Sequence, residues 1–307
     1  MTDLTPPAPP HRAFLMTRLD YLLYAGVIFG WSTSWFAMTL QIREAPMEVS
    51  VFWRFLLSAP LMFLLAGLQG QQLSYPWKSH FGFLLLGIFI FSSNFICMYT
   101  GGLYLPSGLL AVVFSLASVI NLAVGVLFFA EKLHKKLLFG GIIGFSGVLA
   151  MFEPEIAKAS ASSSAWTGLA LCITGVSFFC VGNQVSAALQ RRSIKVLPAA
   201  AWGMLYGSLW SGFLSLVQGK SFVVPMTPAY LGSMAFLILS ATILAFYTYL
   251  SLIGRIGAAR AGYATVIFPV FALLISTALE GYVWTPVAVT GLMLALAGNV
   301  LVMRRET

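Results

Sequence analysis

The chain has 307 residues, of which 59% are hydrophobic and only 8% are charged, and its formal net charge is +8. Soluble domains average about 25% charged residues, so this composition excludes an ordinary soluble enzyme, a coiled coil and a disordered chain. An integral membrane protein is the class that remains.

Residues 1–18 are rich in proline, and we expect them to form a disordered cytoplasmic tail. Ten apolar runs follow, and most are close to the roughly 20 residues that a helix needs to cross a bilayer. The runs are too long for barrel strands, so the sequence predicts an all-α membrane protein. The predicted spans are residues 19–40, 47–69, 79–101, 105–130, 136–152, 165–190, 198–217, 228–254, 257–280 and 286–303.

The lysine and arginine residues support this count of spans. With ten spans and both termini inside, thirteen basic residues fall on the cytoplasmic side, three fall outside, and Arg54 lies within a span. Cytoplasmic loops of membrane proteins carry such an excess of Lys and Arg. The positive charge is therefore explained by topology, and we expect no nucleic acid partner.

The two halves of the chain repeat each other. At an offset of 151 residues, Gly140 aligns with Gly291 and Gly147 aligns with Gly298. We take residues 19–152 and 165–303 as two repeats of five helices, with residues 153–164 as the linker. Because five is odd, the second repeat enters the membrane from the opposite side. Inverted repeats of this kind are typical of secondary transporters, which bind substrate near the midplane where the repeats meet.

Two segments carry a family resemblance. The stretch SVINLAVGVLFFAEKLHKKLLFGGIIGFSGVLAMF at 118–152 resembles the signature of the fourth and fifth helices of the EamA family, within the drug/metabolite transporter superfamily. The stretch PVFALLISTALEGYVWTPVAVTGLMLALAGNVLV at 269–302 resembles the same signature in the second repeat. Arg54, after the Ala45-Pro46 entry into the second span, also fits the pattern. The sequence is most similar to YddG-type amino-acid exporters.

The resemblance implies a ten-helix carrier that exports small organic solutes, here amino acids, across a bacterial inner membrane. A multidrug or other metabolite carrier of the same fold stays open as an alternative, and so does a channel. An enzyme is not expected, because the three histidines lie in the tail or at helix ends and no catalytic or phosphate-binding motif occurs. No cofactor or metal is predicted, and the three cysteines match no metal-ligand spacing.

Candidate substrate-binding residues are the polar and aromatic side chains within the predicted spans. A cavity for an amphipathic solute needs aromatic walls and a few polar groups that fix its orientation. The spans predicted to line it are the first, third, fourth, sixth, eighth and ninth. The candidates are Trp31, Trp35, Asn94, Tyr99, Asn183, Tyr247 and Tyr263. Interhelical hydrogen bonds and lipid-facing aromatic rings are the alternative interpretation of these residues.

Two further features leave alternatives open. Arg54 either extends to the membrane surface, pairs with Glu48, or binds a substrate carboxylate, and the six-residue separation from Glu48 is a poor helical match. The glycines of the fifth and tenth spans permit close helix approach, either within the chain or at the seam of a homodimer.

Overall fold

A computed structural model provides the structure of the chain. It describes residues 16–117, 119–121, 123–124, 135–152, 163–256, 261 and 263–303. The predicted disordered tail lies almost wholly outside the described residues, and so does nearly all of the linker 153–164.

The described residues form ten helical segments, which confirms the predicted all-α fold. The segments are α1 Arg18–Thr39, α2 Met47–Leu68, α3 Trp77–Gly101, α4 Ser107–Ser115, α5 Lys135–Met151, α6 Ser163–Arg191, α7 Val196–Val217, α8 Pro228–Ile256, α9 Ala264–Glu280 and α10 Pro286–Met303. α4 continues past a turn at Leu116 through residues 117, 119–121 and 123–124. Four of the described helices, α2, α3, α6 and α8, are by length and apolar composition alone able to cross a bilayer.

The packing of the helices repeats when the two halves are exchanged. α2 packs on α7, α4 on α9 and α5 on α10, so each of these three helices contacts its own counterpart. α1 packs along α8, and its counterpart α6 packs along α3, the counterpart of α8. The chain therefore folds as two interlocked five-helix repeats in inverted orientation, as the odd number of spans predicts.

Glycines on α5 and α10 show this exchange symmetry at atomic detail. A Cβ on Gly147 would lie 2.5 Å from the carbonyl oxygen of Gly291, and one on Gly298 would lie 2.6 Å from that of Gly140. Gly298 is the counterpart of Gly147 at the offset of 151 residues, and Gly291 is the counterpart of Gly140. The two contacts are therefore equivalent in the two repeats. The glycine rows thus join α5 to α10 within the chain. Among the described residues, α5 and α10 contact each other far more than any other helix, so they lie at the periphery.

Two π-helical segments occupy matching positions in the two repeats. Gly87–Ser93 interrupts α3 and Leu237–Leu244 interrupts α8. Gly87 lies so close to α7 that a Cβ would be 2.6 Å from the backbone nitrogen of Gly207. A π segment adds residues to a turn and therefore rotates the side chains that follow it around the helix axis. Such segments are frequent at functional sites.

Contacts between the connections divide the bundle into two ends. At the first, which we name the α1–α2 end, Glu44 accepts a hydrogen bond from Thr227, and Glu280 accepts from the backbone and hydroxyl of Ser107. At the other, the α2–α3 end, the Trp202 indole donates to the carbonyl of Leu73 at 2.9 Å. Connections that alternate along the chain therefore meet at the same end, as ten successive crossings require.

The outside of the bundle is apolar. Large hydrophobic side chains project from it, including Leu68 with 77% of its surface exposed and Met293 with 64%. Contiguous exposed apolar surface is unusual for a soluble protein, and here it surrounds the bundle where lipid tails would contact it.

Candidate functional site

Six aromatic rings from five helices of both repeats meet between α1 and its neighbours. Trp31 lies 4.9 Å from Tyr249 and 6.1 Å from Phe268, measured between ring centroids. Trp35 stacks on Phe268 at 6.5 Å. We name this group the aromatic cluster. It consists of Trp31, Trp35, Phe114, Phe179, Tyr249 and Phe268.

Helix geometry places the two tryptophans together. Trp31 and Trp35 are four residues apart on α1 and so share one face. Trp35 is 8% exposed and contacts Phe114 of α4 at 5.3 Å, and Phe114 contacts Phe179 of α6 at 4.8 Å. Trp31, Phe114 and Phe179 are only partly buried, so each of these side chains keeps some exposed surface. The cluster supplies the rigid aromatic walls expected of a site for an amphipathic solute.

α2 carries a buried cation, Arg54. Arg54 is 5% exposed, and its guanidinium sits over the rings of Phe55 and Phe95, 5.1 and 4.6 Å from their centroids. Its Nη2 donates to the Thr242 hydroxyl at 3.3 Å. The hydroxyl of Tyr99 also lies beside the guanidinium. Of the carboxylates that the structure describes, none forms an ion pair with Arg54.

Glu48, the pairing partner considered for Arg54 from the sequence, is engaged elsewhere. Its carboxylate binds the ammonium of Lys220 at 2.5 Å, across the α1–α2 end. Six helical residues separate Glu48 from Arg54 by about 600°, which points the two side chains in different directions. Among its described neighbours, the guanidinium of Arg54 therefore contacts hydroxyl groups and aromatic faces but no negatively charged group.

Gln41 completes a polar chain with Tyr99. The Tyr99 hydroxyl donates to Oε1 of Gln41 at 2.8 Å, and both residues are fully buried. Gln41 lies just beyond the last residue of α1, in the turn that leads to α2. The sequence analysis did not single it out, because it stands at a span end rather than in the middle of one.

Several buried polar atoms in this region lack a hydrogen-bond partner within the described part of the chain. Leaving a buried donor or acceptor unsatisfied costs about 1–3 kcal/mol, so each such atom calls for an explanation. The atoms are Trp35 Nε1, Gln41 Nε2, Arg54 Nε and Asn94 Oδ1.

The structure places the seven predicted binding residues at different points of the bundle. Trp31 and Trp35 lie in the aromatic cluster, Tyr99 lies beside Arg54, and Asn94 lies on α3 five residues before Tyr99. Asn94 is 1% exposed and donates only a long 3.4 Å bond to the carbonyl of Ile90. Asn183 is half-buried on α6 and has no side-chain hydrogen bond among the described residues.

The two remaining tyrosines are placed differently. Tyr263 is half-buried at the start of α9 and lies within electrostatic reach of Tyr24. Tyr24 also interacts with Tyr249, so Tyr263 borders the aromatic cluster from the α2–α3 end. Tyr247 is 45% exposed and does not join the cluster. Tyr249, two residues later, is the tyrosine of α8 whose ring contacts Trp31.

An apolar groove of about 880 Å³ runs along the outside of α1 and α9. Tyr24 and Tyr263 form part of its wall, together with exposed residues such as Tyr21 and Phe271. The groove therefore reaches from the lipid-facing surface to the tyrosines that border the aromatic cluster.

The two ends of the bundle are closed by different contacts. Beyond those already described, Asp20 at the α2–α3 end accepts a 2.5 Å bond from Arg255, which joins α1 to α8. The same Asp20 caps α1 together with Thr17. At the α1–α2 end, the Ser50 and Tyr230 hydroxyls are 3.0 Å apart, which joins α2 to α8. Within the described residues, no group of three His, Cys, Asp or Glu is arranged to hold a metal.

Comparison with known proteins gives one family match in each of the two five-helix repeats. The model of the EamA-like transporter family matches twice, at residues 19–153 and 166–304. PagO of Salmonella typhimurium is 26% identical over 272 residues, which cover 86% of this chain and 84% of that protein. A protein of the same organism named "Probable amino-acid metabolite efflux pump" is 24% identical over 291 residues, covering 92% of this chain and 94% of its own. A solved crystal structure with 15% identity has a TM-score of 0.65, covers 92% of this chain and 95% of its own, and shows the fold alone.

Proposed function

We propose that this chain, which belongs to the EamA-like transporter family, is a secondary carrier that exports amino acids or related amphipathic metabolites. It would act in the bacterial inner membrane with both termini in the cytoplasm. Residues 19–152 and 165–303 would be the two moving repeats, joined by residues 153–164.

The aromatic cluster is the observation that supports this proposal best. It is built by helices of both repeats, and carriers with inverted repeats bind substrate where the repeats meet. Partly accessible Trp and Phe rings suit a solute with an apolar body. The buried Arg54 and its polar neighbours Thr242 and Tyr99 suit a polar head. Trp31, Trp35, Asn94, Tyr99, Asn183 and Tyr263 are proposed as binding residues, and Tyr249 is added beside Tyr247.

Alternating access is supported by the two distinct sets of end contacts. The α1–α2 end is joined by Lys220–Glu48, Thr227–Glu44 and Ser107–Glu280. The α2–α3 end is joined by Arg255–Asp20 and by the indole of Trp202. Each set connects helices of different repeats, so breaking one set while keeping the other would expose the cluster to one side at a time.

The name of one relative favours amino acids over other solutes. That relative is called an amino-acid metabolite efflux pump and spans nearly the whole chain. A multidrug carrier of the same fold is the second candidate, because the cluster and the groove beside it are dominated by apolar surface. The chain is proposed to carry out no chemical reaction, since a relative that spans nearly the whole chain is named "Probable amino-acid metabolite efflux pump".

Counterflow in proteoliposomes tests the proposal. Vesicles loaded with an unlabelled amino acid should transiently concentrate the same labelled amino acid, and the initial rate should saturate with concentration. Protein-free vesicles provide the baseline. Flux without saturation or counterflow would indicate a channel, and counterflow only with amphipathic drugs would indicate the multidrug alternative.

The orientation is tested separately. A reporter that is active only in the cytoplasm, fused after Arg305, should be active. Activity of a periplasmic reporter at that position would contradict the assignment of thirteen basic residues to the cytoplasmic side.

A further inference from the structure

We propose that Arg54 and Gln41 form an anion subsite that binds the carboxylate of the transported molecule. This inference rests on the proposed carrier function and specifies which side chains hold the polar head of its substrate. It makes Arg54 a substrate ligand in addition to its contact with α8.

The charge of Arg54 is the first argument. A guanidinium stays ionised at physiological pH, and burying a charge is costly unless it is paired. Arg54 is 5% exposed, and its polar contacts among the described residues are the hydroxyls of Thr242 and Tyr99. Hydroxyl groups and the faces of Phe55 and Phe95 offset part of this cost but bring no negative charge. A carboxylate arriving with the substrate would supply it.

The unsatisfied donors are the second argument. Nε of Arg54 and Nε2 of Gln41 are buried donors without a partner in the described part of the chain. They are linked through Tyr99, whose hydroxyl donates to Gln41 and lies beside the guanidinium. A carboxylate has two oxygens that accept hydrogen bonds, and it pairs well with a guanidinium and a second donor. Water can accept hydrogen bonds from both donors but brings no negative charge to offset that of the guanidinium.

The position relative to the aromatic cluster is the third argument. Trp35 and Gln41 are six residues apart along α1 and the turn that follows, which corresponds to roughly 9 Å of rise. Both side chains are buried in the bundle. A molecule with its carboxylate at Arg54 could therefore place an aromatic or long aliphatic group against Trp35, whose Nε1 is also an unsatisfied donor.

The third polar element is an acceptor. Oδ1 of Asn94 is buried without a partner among the described residues, on the same helix as Tyr99 and Phe95, which contact the guanidinium. An ammonium group has only donors and would satisfy it. Donors for a carboxylate, an acceptor for an ammonium and an aromatic wall together match the zwitterion of an α-amino acid that carries a large apolar side chain.

The test compares substrates with and without a carboxylate in wild-type protein and in Arg54→Gln. The probes are phenylalanine and phenylalaninamide, which keeps the ring and the amine but lacks the carboxylate. Competition with a labelled amino acid in proteoliposomes gives the apparent affinity for each. Losing a charged hydrogen bond at a buried site should weaken phenylalanine roughly 10- to 100-fold and phenylalaninamide less than about threefold. Arg192→Gln, which removes an exposed cation, is the matched control and should change neither.

Ligand-induced thermal stabilisation in detergent separates the two hypotheses. If phenylalanine stabilises the wild type but not Arg54→Gln, the result supports the subsite. This holds even if no transport is seen, in which case only the carrier function fails. Equal weakening of both probes in Arg54→Gln overturns the subsite and assigns Arg54 a purely structural role, while transport by the wild type still supports the carrier. Because Arg54→Gln risks misfolding, Gln41→Leu provides a second variant. It should weaken phenylalanine selectively by a smaller factor, and an unchanged affinity would overturn the role of Gln41.

Discussion

Arg54 of α2 donates a hydrogen bond to the hydroxyl of Thr242 at 3.3 Å, and the two residues belong to different repeats. Thr242 in turn donates to the carbonyl of Leu237, five residues earlier, at 2.8 Å. The same hydroxyl therefore stabilises the π segment of α8 and orients the guanidinium. A buried charge in the first repeat is thus tied to the interruption of a helix in the second.

Replacing Thr242 by valine should show what the hydroxyl contributes. Valine has nearly the same shape as threonine, so the substitution removes the hydroxyl and leaves the side-chain volume almost unchanged. The substitution leaves Nη2 of Arg54 without its acceptor, and an unsatisfied buried donor costs about 1–3 kcal/mol. We expect a lower midpoint of thermal unfolding in detergent and weaker substrate affinity. Thr242→Ser retains the hydroxyl and should behave like the wild type. Identical unfolding of all three proteins would show that the hydrogen bond has no energetic role.

The aromatic cluster predicts how transport depends on the size of the solute. Trp35→Ala removes apolar surface that contacts Phe114 and Phe268, and the lost contact energy scales with the apolar area of the ligand. The apparent KM should rise roughly tenfold for phenylalanine and much less for alanine. Trp77→Ala is the control, because Trp77 is 84% exposed and lies outside the cluster. An equal change for both substrates would indicate a role of Trp35 in folding or gating.

How far the sequence predicts this structure depends on which interactions decide each feature. The apolar runs and the distribution of Lys and Arg predict the number and alternation of helices, because the bilayer imposes length and polarity on each run. The shared face of Trp31 and Trp35 also follows from local helix geometry. These features need no knowledge of which helices are neighbours.

The partners of the inward-facing side chains could not be derived in the same way. Tyr247 and Tyr249 both lie in one apolar run, and the π segment Leu237–Leu244 changes the helical phase just before them, so the sequence pattern does not show which of the two faces the interior. The hydrogen bond from Tyr99 to Gln41 spans 58 residues and depends on how α1 and α3 pack. The choice of Lys220 over Arg54 as the partner of Glu48 likewise depends on the packing of the α1–α2 end.

Close packing of α5 against α10 predicts a sharp difference between glycines. A Cβ on Gly147 would lie 2.4 Å from the backbone nitrogen of Ala295, so Gly147→Ala must separate the two helices. Such overpacking costs about 1–3 kcal/mol and should lower the midpoint of thermal unfolding. Gly232→Ala is the matched control, since nothing lies within 4 Å of its Cβ position, and alanine favours a helix by up to about 1 kcal/mol over glycine. Equal destabilisation by both substitutions would contradict this packing.

The last prediction concerns energy coupling, which depends on where the titratable groups lie. Proton-driven carriers usually keep an Asp, Glu or His deep in the membrane, where loss of solvation brings its pKa into the working range. The four carboxylates that the structure describes all lie near an end of the bundle and are engaged in hydrogen bonds or ion pairs. They are Asp20 with Arg255, Glu44 with Thr227, Glu48 with Lys220 and Glu280 with Ser107.

The charged group deep in the described part of the bundle is Arg54, which does not release its proton at physiological pH. We therefore expect facilitated diffusion or substrate exchange, with an initial rate that an imposed pH difference leaves unchanged. Uptake into proteoliposomes with and without a pH gradient measures this, and a protonophore that collapses the gradient is the control. A contrary result would be that substrate accumulates against its own gradient when the pH difference is imposed, and that Glu48→Gln or Glu280→Gln abolishes this accumulation. That result would show that one of these end carboxylates carries the proton. It would also show that the hydrogen-bond partner of that carboxylate releases it during the transport cycle.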